Sequence, residues 1–126
     1  MASSEFQLPE RLKKHSPKVG LVLGSGLGDF VESLTETAQI AYSDIAGLPV
    51  SGVAGHAGQL HLGKLGGIEV AIAQGRVHIY EGWSAKEAAS MMRLFHEIGI
   101  EAVILTTAAG IVNANFKPGR WMLMPD

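Results

Sequence analysis

Apolar residues along this chain fall into three kinds of run. Val19 to Leu23 is continuous, between Pro17 and a glycine cluster, which suits a buried strand. Gln59–Leu65 and Ile68–Gln74 alternate with period two about Gly66-Gly67, the signature of a β-hairpin. From Ser84 to Ile98, Ala88, Met91, Met92, Phe95 and Ile98 form one stripe at helical spacing. Ser84 and Glu87 fit a capping box at its start, and Gly99 fits its C-terminal cap. Ala102 to Leu105 is a second buried-strand run. Weaker signals predict a short helix over residues 5–14, helical spacing from Asp29 to Leu34, and a short strand from Ala38 to Tyr42. Trp121 to Met124 begins a further apolar strand. Together these predict a single α/β domain over residues 1–126, a mixed, twisted sheet flanked by helices. The antiparallel hairpin excludes a purely parallel sheet.

Composition narrows the function classes. The 126 residues are 47% apolar and 17% charged with 16 glycines, as expected of a core-forming chain rich in turns. Twelve acidic and ten basic residues leave a net charge of −2, with no basic surplus or block to recruit nucleic acid. With no cysteine there is no disulfide framework, thiolate nucleophile or Cys-ligated zinc. His96 and Glu97 lack the second His of a zinc helix, so no metal site is implied. The N-terminus lacks the basic-then-apolar layout of a signal peptide, and no run approaches the ~18–20 apolar residues of a membrane span. A cytoplasmic protein with no membrane partner is expected.

Candidate chemistry gathers at the strand ends. Gly24-Ser25-Gly26-Leu27-Gly28 follows the first strand, and amides of such a loop, with a helix behind it, make an anion seat. It is neither a dinucleotide fingerprint, since Asp29 occupies the sixth position, nor a P-loop, since Gly-Lys-Ser/Thr is absent. Ser25 is its one hydroxyl, either an anion donor or a turn former. The octapeptide Gly75-Arg76-Val77-His78-Ile79-Tyr80-Glu81-Gly82 carries the densest chemistry. If its strand runs on, Arg76, His78 and Tyr80 share one face, with Val77 and Ile79 turned to the core. A guanidinium fork with two single donors suits phosphate or carboxylate. The plainer alternative is a surface Arg76–Glu81 ion pair with His78 in a partly buried slot. Thr106-Thr107-Ala108-Ala109-Gly110 adds small residues and exposed amides at another strand end.

With Gly55-His56-Ala57-Gly58, these motifs occur in the order and at the spacing of the trimeric purine nucleoside phosphorylase family, which the chain resembles from about Val19 to Asp126. The resemblance implies a nucleoside phosphorylase-like fold. It implies phosphate-dependent cleavage of purine (deoxy)ribonucleosides to free base and (deoxy)ribose 1-phosphate. Carried over by motif, Ser25, Arg76, His78 and the Ala108 amide hold phosphate. His56 and His78 are the catalytic histidines, Tyr80 packs on the ribose, and Thr107 lies on the substrate side. Orthophosphate is a co-substrate, no cofactor is implied, and the partners are a purine nucleoside, phosphate and further copies in a trimer.

Two positions depart from the family pattern, Thr107 where Asn is usual and Ile111 where a second glycine is usual. Family chains also continue beyond this length. The resemblance therefore implies an apparently truncated, N-terminal half that carries the phosphate half-site, without the base-recognising residues. A nucleosidase using water and a non-catalytic phosphate- or nucleoside-binding module stay open as alternatives.

Overall fold

A computed structural model describes residues 4–51 and 58–125. Its frame is a five-stranded mixed sheet: β1 (Val19–Leu23), β2 (Thr35–Ala41), β3 (Gln59–Leu65), β4 (Ile68–Gln74) and β5 (Ala102–Leu105), in the order β2-β3-β4-β1-β5. β1 pairs in parallel with both β4 and β5, while β2–β3 and β3–β4 are antiparallel. The hairpin has the expected bounds. Gly66 and Gly67 take φ of 58° and 83°, the two positive values that a tight two-residue turn requires. β2 starts earlier than the expected Ala38, with a register shift between Thr35 and Ala38.

The period of two sorts the side chains onto two faces. On one, Val22, Leu60, Leu62, Ala71 and Ala73 join Phe6, Leu12, Tyr42, Leu94 and Phe95 in the larger core. On the other, Leu21, Leu23, Val70 and Ile72 pack with Leu34 beneath a 3₁₀ helix at Gly28–Ser33. That helix replaces the α-helix expected over Asp29–Leu34. The helix expected over residues 5–14 shrinks to one turn, α1 (Glu10–Lys13), following Pro9.

The predicted helix from Ser84 to Ile98 divides at Ala89 into α2 (Ala85–Ala88) and α3 (Ser90–Glu97). Phe95 and Leu94 of α3 enter the larger core, with Met91, Met92 and Ile98 packed beside them. Gly99 is left-handed, at φ 88°, as its capping position asks. The capping box is formed. Ser84 Oγ accepts from the Glu87 amide at 3.1 Å, and the Glu87 carboxylate accepts from the Ser84 amide at 2.8 Å.

Those bonds, the Ser84 amide first, hold the Glu87 carboxyl below its usual 4.5. A lowered folded value means that the box stabilises above the unfolded value and is lost as pH falls through the folded one. Glu87→Ala should therefore lower the urea midpoint at neutral pH, with the gap closing in acid. A gap unchanged down to about pH 3 would contradict this.

The C-terminal stretch departs most from expectation. β5 is exposed along its whole length rather than buried, because it is an edge strand and no described element packs over it. Trp121–Met124 forms no strand, and its side chains stand in solvent, Trp121 at 78% exposure. Among the described residues, no helix is long and apolar enough to cross a membrane.

Candidate anion-binding site

Parallel pairing decides where the chemistry gathers. β4, β1 and β5 are neighbours running in one direction, so Gln74, Leu23 and Leu105 all leave the same edge of the sheet. The segments that follow carry Arg76 and His78, then Ser25, then Thr107 and Ala108. In open α/β sheets this strand-end edge is where ligands bind.

Thr106 stitches the β1 and β5 exits together. Its Oγ1 donates to the Val22 carbonyl and accepts from the Gly24 amide, each at 2.8 Å. Its own amide donates to Val22 O at 3.0 Å. Gly24 is required at this contact, since a Cβ there would stand 2.8 Å from both the Thr106 carbonyl oxygen and Thr107 Cα. Ser25 is the next residue, exposed in a turn closed by the Leu27 amide on Gly24 O at 3.2 Å.

The β4 exit corrects the sequence reading. The strand does not continue to Tyr80. Gly75 turns left-handed at φ 101°, the ladder stops at Gln74, and Ile79–Glu81 forms a 3₁₀ helix. Ile79 is 63% exposed rather than in the core. Arg76, His78 and Tyr80 therefore do not share a strand face. His78 and Tyr80 still meet, their rings stacked at 4.7 Å and 16°, with Tyr80 84% exposed.

Arg76 Nη2 stands 3.5 Å from Thr107 Oγ1, the one side-chain hydrogen bond that links the β4 and β5 exits among the described residues. Arg76 and Glu81 form no ion pair. Glu81 accepts from the His78 amide at 2.7 Å and from Ser51 Oγ at 2.9 Å. Its Oε2 lies 3.7 Å from His78 Nδ1. Among the described residues, no side-chain hydrogen bond joins Ser25 to Arg76 or His78. Ala108 is exposed beside Thr107. His56 lies outside the described residues.

Beneath this rim are polar residues that the sequence reading passed over. His61, on β3, sits 2.7 Å through Nε2 from Gln74 Oε1. Gln74 Nε2 donates to Gly28 O at 3.1 Å, fixing the far end of the glycine loop to the end of β4. Tyr42 donates its hydroxyl to Gly75 O at 2.6 Å. Each of these residues is a polar group in or just after an apolar strand run. That was the available signal, because a buried polar group needs a partner. Guanidinium, imidazole, hydroxyl and backbone amides at one edge make an array of donors suited to a tetrahedral oxyanion. Among the described residues, no group of three or more His, Asp or Glu is placed to hold a metal ion.

Comparison with known proteins gives the family of the chain. Residues 18–126 match the family model described as the phosphorylase superfamily. Purine nucleoside phosphorylase 1 of Geobacillus stearothermophilus is 47% identical over 88% of this chain and 40% of its own length. Purine nucleoside phosphorylase of Rattus norvegicus is 41% identical over 90% of this chain and 39% of its own. A crystal structure of purine nucleoside phosphorylase in complex with ribose-1-phosphate superposes with a TM-score of 0.80 at 34% identity, over 87% of this chain and 40% of that one. The chain thus spans about 40% of the length of the relatives it matches. By its family match, its sequence relatives and its fold, the chain belongs to the phosphorylase superfamily.

Proposed function

We propose that this chain supplies the phosphate-holding part of a purine nucleoside phosphorylase. Orthophosphate attacks the anomeric carbon of a purine (deoxy)ribonucleoside. The new C–O bond gives (deoxy)ribose 1-phosphate, and the electron pair of the broken C–N bond leaves with the base. In this reading Arg76 grips phosphate with its fork, while Ser25, His78 and the Ala108 amide add single donors. His56 and His78 act as the catalytic histidines, Tyr80 covers the ribose, and Thr107 serves the substrate side. Phosphate is a co-substrate and no cofactor takes part. A cytoplasmic trimer is the assembly that goes with it.

The observation that supports the reading most is the parallel β4-β1-β5 arrangement, which sends all three donor segments off one edge. An anion fixed beneath the ribose both attacks and stabilises the oxocarbenium-like charge that develops, so positioning and preorganised charge carry the catalysis. Well-oriented reactants contribute about 7–11 kcal/mol in such systems.

The test is hypoxanthine release from inosine, with and without phosphate, by the whole phosphorylase of which this chain supplies the phosphate-holding part. Release that requires phosphate is expected. Release independent of phosphate would make the protein a nucleosidase, and phosphate binding with no release would make it a binding module.

A further inference from the structure

The phenol of Tyr42 lies where three segments meet, and none of the roles assigned above uses it. Tyr42 follows β2 and opens a short 3₁₀ turn to Asp44. It is 4% exposed, and burial pushes its hydroxyl pKa well above the ordinary range. Its amide donates to Gly58 O at 3.1 Å, just before β3, and its hydroxyl donates to Gly75 O at 2.6 Å, just after β4. The ring lies flush on Gly58, where an added Cβ would stand 2.1 Å from Cε2. A Cβ on Gly75 would in turn stand 3.1 Å from Gly58 Cα. One side chain therefore ties the end of β2, the start of β3 and the exit of β4.

Gly75 is the residue at which the chain leaves the sheet, at φ 101°, in a region that glycine enters with little penalty and leaves as easily. Arg76 follows at once, and His78 two residues later. Any swing about Gly75 is magnified at the guanidinium. An acceptor bond at the Gly75 carbonyl is the direct way to stop that swing.

We propose that Tyr42 is a positioning residue of the phosphate seat, its hydroxyl locking the left-handed Gly75 turn that aims Arg76 and His78. The identity of the ligand rests on the function proposed above, whereas the locking does not. A misplacement of about 1 Å can cost about 100-fold in a preorganised site. Losing one neutral hydrogen bond sets a smaller scale, about 3- to 10-fold in affinity.

Tyr42→Phe keeps the ring on Gly58 and removes only the hydroxyl. Two readouts apply at a temperature where circular dichroism shows both proteins folded: inorganic phosphate binding by calorimetry, and the backbone amide resonances of residues 75–78. The expected result is phosphate binding weakened about 3- to 10-fold, with amide shifts at Arg76 and His78. Ser84→Ala, which loses a helix cap but no bond to this turn, should leave phosphate affinity unchanged. An equal loss in Ser84→Ala would reduce Tyr42 to general stability and overturn the proposal, as would an unchanged affinity in Tyr42→Phe. If the parent chain binds no phosphate, the proposed function falls, and the amide shifts alone judge the lock: movement upholds it and none refutes it. Should Tyr42→Phe not fold, Gly75→Ala attacks the same turn from the other side and is judged by the same two readouts.

Discussion

Arg76→Ala should weaken phosphate binding by about 10- to 100-fold, because a hydrogen bond to a charged group carries about 1.5–3 kcal/mol and each 1.4 kcal/mol is tenfold. Among the described residues Arg76 faces no carboxylate within ion-pair distance, and its one side-chain bond is the long 3.5 Å contact with Thr107. The fork is therefore not already spent on an internal partner. The residue is also exposed, so its removal should leave thermal stability nearly unchanged. Arg76→Lys separates geometry from charge: the cation stays, the planar bidentate fork goes, and an intermediate affinity follows. Calorimetric titration with phosphate measures all three proteins. Equal affinity in Arg76→Ala and the parent would remove Arg76 from the site and, with it, the proposed phosphate seat.

The second large effect is on folding. Phe95→Ala should cost about 3–5 kcal/mol, the usual range for emptying a buried aromatic site. Phe95 is 1% exposed on α3, and its ring occupies the space over Gly20 in β1, where an added Cβ would stand 2.5 Å from Cε2. Gly20 and Phe95 are thus complementary halves of one contact, which joins α3 to β1. Small domains have about 5–15 kcal/mol in all, so this one truncation removes much of the margin. Urea unfolding followed by circular dichroism measures it. A loss below about 1 kcal/mol would mean that α3 does not depend on that contact.

What the sequence made legible follows from the range of the interactions involved. The hairpin and β1 were readable because a local pattern decided them: strict alternation around Gly66-Gly67, and an unbroken apolar run before the glycine loop. The donors were likewise readable by type and by their position after strands. Their geometry was not. Arg76-Val77-His78-Ile79 alternates like a strand, yet a single left-handed backbone at Gly75 ends the ladder before it. β5 has the apolar composition of a buried strand, but burial depends on what packs over it, which its own residues do not state. Tyr42 and Gly75 lie 33 residues apart, and Thr106 lies 82 from Gly24, beyond any local periodicity. The family resemblance supplied expected roles for residues whose mutual placement no local pattern contains.

The position of β5 gives the molecule an uneven durability. Among the described residues, β1 and β4 are paired on both sides and packed on both faces, whereas β5 pairs with β1 alone and its side chains are exposed. Such margins open at lower free energy than the core they border. Two walls of the anion seat thus rise from the most persistent strands, and the third, with Thr107 and Ala108, rises from the one that peels first. On warming, the seat should come apart while the sheet that bears it is still intact, so that binding is lost ahead of the fold.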